Sequence, residues 1–286
     1  MTIAITGASG ALGRASADFV LQTVDPREVV LTTRRPEALA DLAARGAQVR
    51  RADFTDPGTL ATAFEGVDRL LLISTDAVGA RLDQQRAAIS AAADAGVRHI
   101  VYTSVPEPVP ANPALVVADH AGTEQALRDS EVAWTVLRNN LYAHMQVPTI
   151  GQAVASGRLV TSGGAGATAY VTREDCAAAA AAILTRGGHE GRAYDITGPE
   201  ALSAADLAAL AREIGGRDVE LVEVDDAAFG TGLRAAGLPD HIAEVVASFG
   251  AATRGGFLAQ VSSAVADLTG RKPTALADVV RAALQP

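Results

Sequence analysis

The sequence predicts an α/β protein built on a doubly wound, Rossmann-type parallel sheet, with a smaller α/β C-terminal subdomain. Three observations carry this. Short, almost wholly apolar β-branched runs alternate with Ala- and Leu-rich stretches of helical spacing through the first half, the pattern of strands covered on both faces. A glycine triplet, Gly7, Gly10 and Gly13, lies directly between the first strand and the first helix. After residue 139 this rhythm gives way to glycine-rich links and short helices.

Strands are expected at 2–6, 28–33, 48–52, 69–73, 99–104 and 133–138, and helices between them at 12–23, 36–46, 56–66, 83–96 and 119–130. Right-handed crossovers assemble such units into one doubly wound sheet. Further on, 147–159 reads as a helix and turn, and 161–171 as a glycine-rich link. Thr172 caps the next helix, with Asp175 near its positive end. A strand follows at 191–198, Ser203 caps a helix over 204–215, and the remainder supplies one more strand and several short helices. The expected division is a nucleotide-binding domain over 1–150, its sheet completed by parts of 165–200, and a substrate-side subdomain over 151–286, packed on the sheet's carboxyl edge.

Composition narrows the function. A formal charge of −9 argues against a general nucleic-acid or anionic-membrane binder. Cys176 is the only cysteine, which rules out an intrachain disulfide and a cysteine metal cluster; the five histidines show no metal-ligand spacing. The longest apolar run, around 176–184, is too short and Ala-rich to span a bilayer. A soluble cytoplasmic protein follows; the sequence does not fix the oligomeric state, for which a homodimer is the working expectation.

The glycine triplet has a GxxGxxG spacing. Gly7 supplies a tight strand-to-helix turn, Gly10 lets backbone approach a pyrophosphate, and Gly13 brings helix close to strand. The helix N-terminus then offers N–H groups and its positive dipole end to phosphate. Where an NAD-selective site often has a carboxylate, the second strand ends in "LTTRRPEA", and an arginine fork at Arg34 or Arg35 suits a 2′-phosphate; two solvated loop arginines are the alternative. NADPH is therefore expected over NADH. Asp53 and Phe54 are placed to meet the adenine, although Asp53 suits a turn or cap as well. Ile73, Ser74 and Thr75 close the fourth strand beside the expected path of the ribose.

The segments "GASGALG", "LLLISTD", "AGVRHIVYTS", "HAGTE" and "TVLRNNLY", together with "GLPDHIAEVV" and "LTGRKPTALADVV", resemble the NmrA-like group of atypical short-chain dehydrogenases, and within it the flavin-free type 2 NAD(P)H:quinone oxidoreductases. The resemblance covers nearly the whole chain. It implies an NADP site formed by Gly7, Ser9, Gly10, Ala11, Leu12, Arg34, Ile73, Ser74 and Thr75. It also implies that Arg138, Asn139, Asn140, Leu141 and Tyr142 lie near the nicotinamide, and that the acceptor is a quinone or related carbonyl.

Ordinary short-chain dehydrogenases carry a tyrosine that protonates the nascent alkoxide and a lysine that lowers its pKa. Counting back from "TVLR", Val116 stands at the tyrosine position and His120 at the lysine position. Valine cannot donate a proton; His120 either holds the ribose or relays protons, or is structural. Hydride transfer to a ketone makes a localised alkoxide that needs an acid, whereas a quinone yields a delocalised anion that water protonates. The missing tyrosine therefore fits a quinone reductase better.

Tyr142, beside Asn139 and Asn140, is the second catalytic candidate, with amphipathic packing as its alternative. Tyr102 reads as a strand-core residue, Ser104 as a cleft-floor serine and Cys176 as a buried small hydrophobe. Phe229, Phe249 and Phe257 are candidates for an apolar acceptor pocket or for core. The expected activity is NADPH-dependent hydride transfer to a quinone without flavin or metal. A carbonyl reductase using His120, Tyr142 or water as donor, and a dinucleotide-binding redox sensor, stand as alternatives.

Overall fold

The structure, a computed structural model, describes residues 1–284. In chain order the strands are β1 (Ile3–Ile5), β2 (Val29–Thr33), β3 (Gln48–Arg51), β4 (Arg69–Leu72), β5 (His99–Ser104), β6 (Ala133–Asn139), β7 (Arg158–Thr161), β8 (Ala167–Thr168), β9 (Arg192–Ile196), β10 (Leu202–Ser203) and β11 (Glu220–Glu223). The helices are α1 (Ala11–Val20), α2 (Ala40–Ala44), α3 (Gly58–Phe64), α4 (Arg81–Asp94), α5 (Val117–Asp129), α6 (Gln146–Ser156), α7 (Arg173–Thr185), α8 (Ala204–Gly215), α9 (Asp226–Ala235), α10 (Asp240–Arg254), α11 (Ala264–Thr269) and α12 (Leu276–Leu284).

Seven strands form one sheet in the order β3-β2-β1-β4-β5-β6-β9, every neighbouring pair parallel. The order reverses between β1 and β4, which opens a crevice at their carboxyl ends, where open α/β sheets bind ligands. Central strands β1, β2 and β5 are wholly buried because helices cover both faces. One face packs Leu12, Ala17 and Val20 of α1 against the Ala-rich α7. The other packs β4 and β5 against Leu60 and Phe64 of α3, Ile89 of α4 and Leu127 of α5.

The remaining elements form a smaller layer in which α6, α8 and α12 share a core through Ile150, Leu207, Leu210 and Val280. Thr172 accepts the Asp175 backbone N–H as an N-cap, and Ser203 closes a reciprocal capping box with Asp206, as the residue types foretold.

Two readings need correction. The helix expected over 36–46 is a 3-10 turn, Pro36–Leu39, followed by the five-residue α2. The helix and turn expected over 147–159 ends at Gly157, in the left-handed region (φ 74°), and the chain then enters strand β7, which pairs in parallel with β11. The signal for this strand is weak because the two-stranded sheet is only partly buried: Leu159 faces the core while Val160 is exposed. Within the glycine-rich link, Gly166 serves close approach, since a Cβ there would lie 1.9 Å from the Thr253 carbonyl oxygen of α10.

Candidate active site at the sheet's carboxyl edge

The turn after β1 opens the crevice. Gly7 adopts a left-handed conformation (φ 58°), and its carbonyl accepts the Gly10 N–H at 2.8 Å. A Cβ on Gly13 would lie 2.4 Å from that same carbonyl oxygen, so only glycine lets α1 start so close to the strand. No side chain caps α1 at Gly10, which leaves the first-turn N–H groups of Ala11 and Leu12 without a side-chain partner at the positive end of the helix. Ser9 Oγ and Thr33 Oγ1 share a 2.8 Å hydrogen bond that ties this turn to the end of β2.

Arg34 and Arg35 follow β2, exposed, and among the described residues neither guanidinium has a hydrogen bond or ion pair. Asp53 is engaged by its own turn: Oδ1 accepts from the Thr55 N–H (3.0 Å) and hydroxyl (2.7 Å), which hold its carboxyl below the usual range. Phe54 is half-buried and packs on the α3–α4 face.

Beyond β4, side chains of neighbouring strands hold the backbone. Thr6 Oγ1 accepts from the Ile73 N–H and Thr103 Oγ1 from the Ser74 N–H, both at 2.9 Å. The Thr75 carbonyl accepts from Arg81 Nε at 2.5 Å. Arg81 is 6% exposed and, among the described residues, has no carboxylate partner. Its Nη1 lies 3.0 Å from His120 Nε2, and His120 Nδ1 lies 2.8 Å from the Tyr102 hydroxyl. A guanidinium only donates, so Nε2 is the acceptor and the ring proton sits on Nδ1, facing Tyr102. Burial first, and then the Arg81 charge, lower the His120 pKa to about 3, so the imidazole is neutral at pH 7. Both ring nitrogens are held by protein groups, and Tyr102, fully buried, is core as expected but with its hydroxyl in this chain.

Val116, at the tyrosine position, is buried with Val117 against Ala252 of α10 and Leu258. It joins the two layers of the molecule. Ser104 also faces protein: its hydroxyl donates to Glu124 Oε1 at 2.8 Å. Glu124 is 1% exposed and accepts two hydrogen bonds from Arg138, at 3.1 and 2.8 Å.

At the end of β6 the two asparagines differ. Asn140 Nδ2 donates to the Leu258 carbonyl at 3.0 Å and its Oδ1 accepts from the Leu141 N–H at 2.8 Å, which braces the loop. Asn139 is 6% exposed, and among the described residues neither of its amide atoms has a hydrogen-bond partner within bonding geometry. The amide nonetheless lies near enough to the Tyr142 hydroxyl to oppose part of the rise in that phenol's pKa. Tyr142 is half-buried against the α1–α7 core with the Arg173 guanidinium 5.5 Å from its ring centre; burial raises its phenol pKa, so it stays protonated at neutral pH. Cys176 is buried, and desolvation pushes its thiol well up. Phe229 and Phe249 line a cavity of about 550 Å³ that also includes Leu141, and Phe249 and Phe257 pack on the Val116 cluster.

With this crevice defined, the relatives can be placed. The NAD(P)H-binding family matches residues 7–187. The chain belongs to that family. It is 37% identical to quinone oxidoreductase 2 of Escherichia coli over 97% of each chain. It is 35% identical, over 94% of this chain and 93% of the relative, to a (4-alkanoyl-5-oxo-2,5-dihydrofuran-3-yl)methyl phosphate reductase of Streptomyces griseus. The Escherichia coli quinone oxidoreductase, solved with NADPH, superposes with a TM-score of 0.94 and 36% identity, covering 99% of both chains. A triphenylmethane reductase from Citrobacter, solved with NADP(H), superposes at 0.91 with 32% identity, covering 99% of this chain and all of the other. The resemblance drawn from the sequence motifs therefore holds along the whole chain.

Three features of the crevice fit the dinucleotide that the family binds: the uncapped N-terminus of α1, the two unengaged arginines, and the orphaned buried amide of Asn139. Arg81 and Glu124 are the residues that sequence reading missed. Both carry a signal in their spacing. Arg81 and Gln85 fall on the same stripe as Ala88 and Ala92, the buried face of α4, and a charged residue on an apolar stripe marks a buried polar network. Among the described residues no cluster of His, Cys, Asp and Glu could hold a metal ion, and no helix is long and apolar enough to cross a membrane.

Proposed function

We propose that the protein is an NADPH-dependent oxidoreductase that delivers hydride directly to a quinone, without flavin or metal. When bound, NADPH supplies the hydride, and the acceptor takes it together with a proton from water. The residues of the chain bind and orient. The N–H groups of Ala11 and Leu12 would receive the pyrophosphate and Arg34 the 2′-phosphate; Ile73, Ser74 and Thr75 would line the ribose path. The buried Asn139 amide would satisfy its orphaned donor and acceptor on the nicotinamide carboxamide, and Tyr142 would wall the ring.

The observation that carries the quinone assignment is the state of the two positions that an alcohol dehydrogenase uses for its acid. Val116 is closed under α10, and both nitrogens of the neutral His120 are taken by Arg81 and Tyr102. An acceptor whose reduced form is a delocalised anion needs no acid from either place, whereas a ketone does. Orientation of two planar rings is then the main task of the protein. The full-length likeness to a quinone oxidoreductase supports the same reading.

The test is NADPH oxidation by purified, flavin-free protein with 1,4-benzoquinone, with acetophenone and with no acceptor, corrected for the uncatalysed quinone reaction. Turnover with the quinone alone is expected. Turnover of the ketone at a comparable rate would assign a carbonyl reductase, and tight NADPH binding without turnover of either would assign a dinucleotide sensor.

A further inference from the structure

We infer that the physiological acceptor carries an uncharged, extended apolar substituent, and that the cavity beginning at Leu141 holds it. This rests on the quinone reading above and deepens it.

The cavity lies between α6, β7, α8, α9 and α10, and its volume, about 550 Å³, is far more than a bare six-membered ring fills and falls within the usual range for small-molecule sites. Leu141, the residue after the Asn139–Asn140 pair, is among its lining residues, so the segment that leaves β6 beside the crevice also reaches this space. Charged residues make up 20% of the chain, yet among the described residues none of Asp, Glu, Lys, Arg or His lines this space. A phosphate, carboxylate or ammonium group drawn inside would lose its hydration and meet no counter-charge. The wall chooses a neutral ligand.

The cover of the cavity points the same way. Helices α9 and α10 have amphipathic sequences, but only Gly230 in α9 and Ala243 and Ala252 in α10 are fully buried. Three of their larger apolar side chains, Phe229, Leu233 and Val246, are half-buried and line the open space, and Phe249 faces it while also packing on the Val116 cluster. An apolar chain lodged there removes both its own surface and theirs from water, the term that lowers KM without touching the chemical step.

The experiment compares 1,4-benzoquinone with 2-decyl-1,4-benzoquinone in the full-length protein, and repeats the comparison in Val246→Trp, which fills the cavity from α10. In the unsubstituted protein the decyl compound should have a KM at least about tenfold lower at similar kcat, and Val246→Trp should bring the two KM values to within about twofold of each other. Leu233→Trp, on the outer helix α9, repeats the test should the first variant fold poorly. Equal KM values in the unsubstituted protein, or a decyl advantage that survives both tryptophans, would overturn the inference and leave the quinone reading standing. If neither quinone turns over, the quinone reading fails on its own. Calorimetry with n-decanol then decides the cavity: saturable binding that Val246→Trp abolishes supports it, and no binding overturns it.

Discussion

His120 Nε2 accepts a hydrogen bond of 3.0 Å from Arg81, a buried guanidinium that donates from its other side to the Thr75 carbonyl. The imidazole thus serves as the neutral acceptor that lets a cation with no carboxylate partner among the described residues stay buried beside the loop after β4.

This arrangement makes stability depend on pH in a stated direction. The His120 pKa falls from 6.5 to about 3 on folding, so between these values the unfolded chain binds a proton that the folded protein refuses. The contribution is complete above about pH 6.5 and is lost as pH falls towards 3. Burial lowers the pKa of His99 too, so a variant is needed to isolate the effect. His120→Asn should be less stable than the unsubstituted protein at pH 7.5, and the gap should shrink steadily from pH 6 to pH 4 in chemical denaturation. A constant gap would assign the acid sensitivity elsewhere.

Arg34→Ala should raise the KM for NADPH by about tenfold or more and that for NADH by no more than about twofold, because a charge-assisted contact to the 2′-phosphate is the only interaction removed. Arg34 is exposed and its guanidinium has no partner among the described residues, so Tm should not move. Equal effects on both cofactors would pass the selectivity to Arg35 or abolish it.

Glu124→Ala should cost about 3 kcal/mol, because it strands the Ser104 hydroxyl and the Arg138 guanidinium around a site that is 1% exposed. Asp41→Ala, which breaks the exposed pair with Arg14, should cost no more than about 1 kcal/mol. Urea denaturation of both variants measures the difference. Similar losses would mean that the buried network contributes no more than a surface pair.

Gly13→Ala should weaken NADPH binding by at least about tenfold, since its Cβ and the Gly7 carbonyl oxygen cannot both keep their places at 2.4 Å. Fluorescence titration with NADPH reads this directly. Gly10→Ala, whose Cβ would stand 3.2 Å from the same oxygen, should be milder.

The positions of the strands along the chain and the nucleotide turn were legible in the sequence because each rests on local chemistry: apolar runs for β1, β2 and β5, and glycines that only one backbone path requires. What escaped was set by distant partners. β7 forms on β11, some sixty residues later, and its alternation of Leu159 with Val160 is too short to read alone. His120 was visible as a residue at an unusual position, but not its role, which depends on Arg81 across a helix pair and Tyr102 on a strand. Asn139 and Asn140 are chemically identical neighbours, and only Leu258, more than a hundred residues on, makes one a brace, while the other is buried without such a partner among the described residues.

The last strand of the main sheet, β9, and the helix before it, α7, reach the sheet only after the chain has left to build α6, β7 and β8. On a ribosome this imposes a waiting time. The α1 face bearing Leu12, Ala17 and Val20 has no cover until α7 emerges, and the outer edge of β6 remains open until β9 follows. A nascent chain stalled near residue 150 therefore presents an oily surface and an unpaired strand edge together, the combination that invites chaperones or self-association. Dividing the gene at that point would yield two fragments, neither of which holds a complete layer.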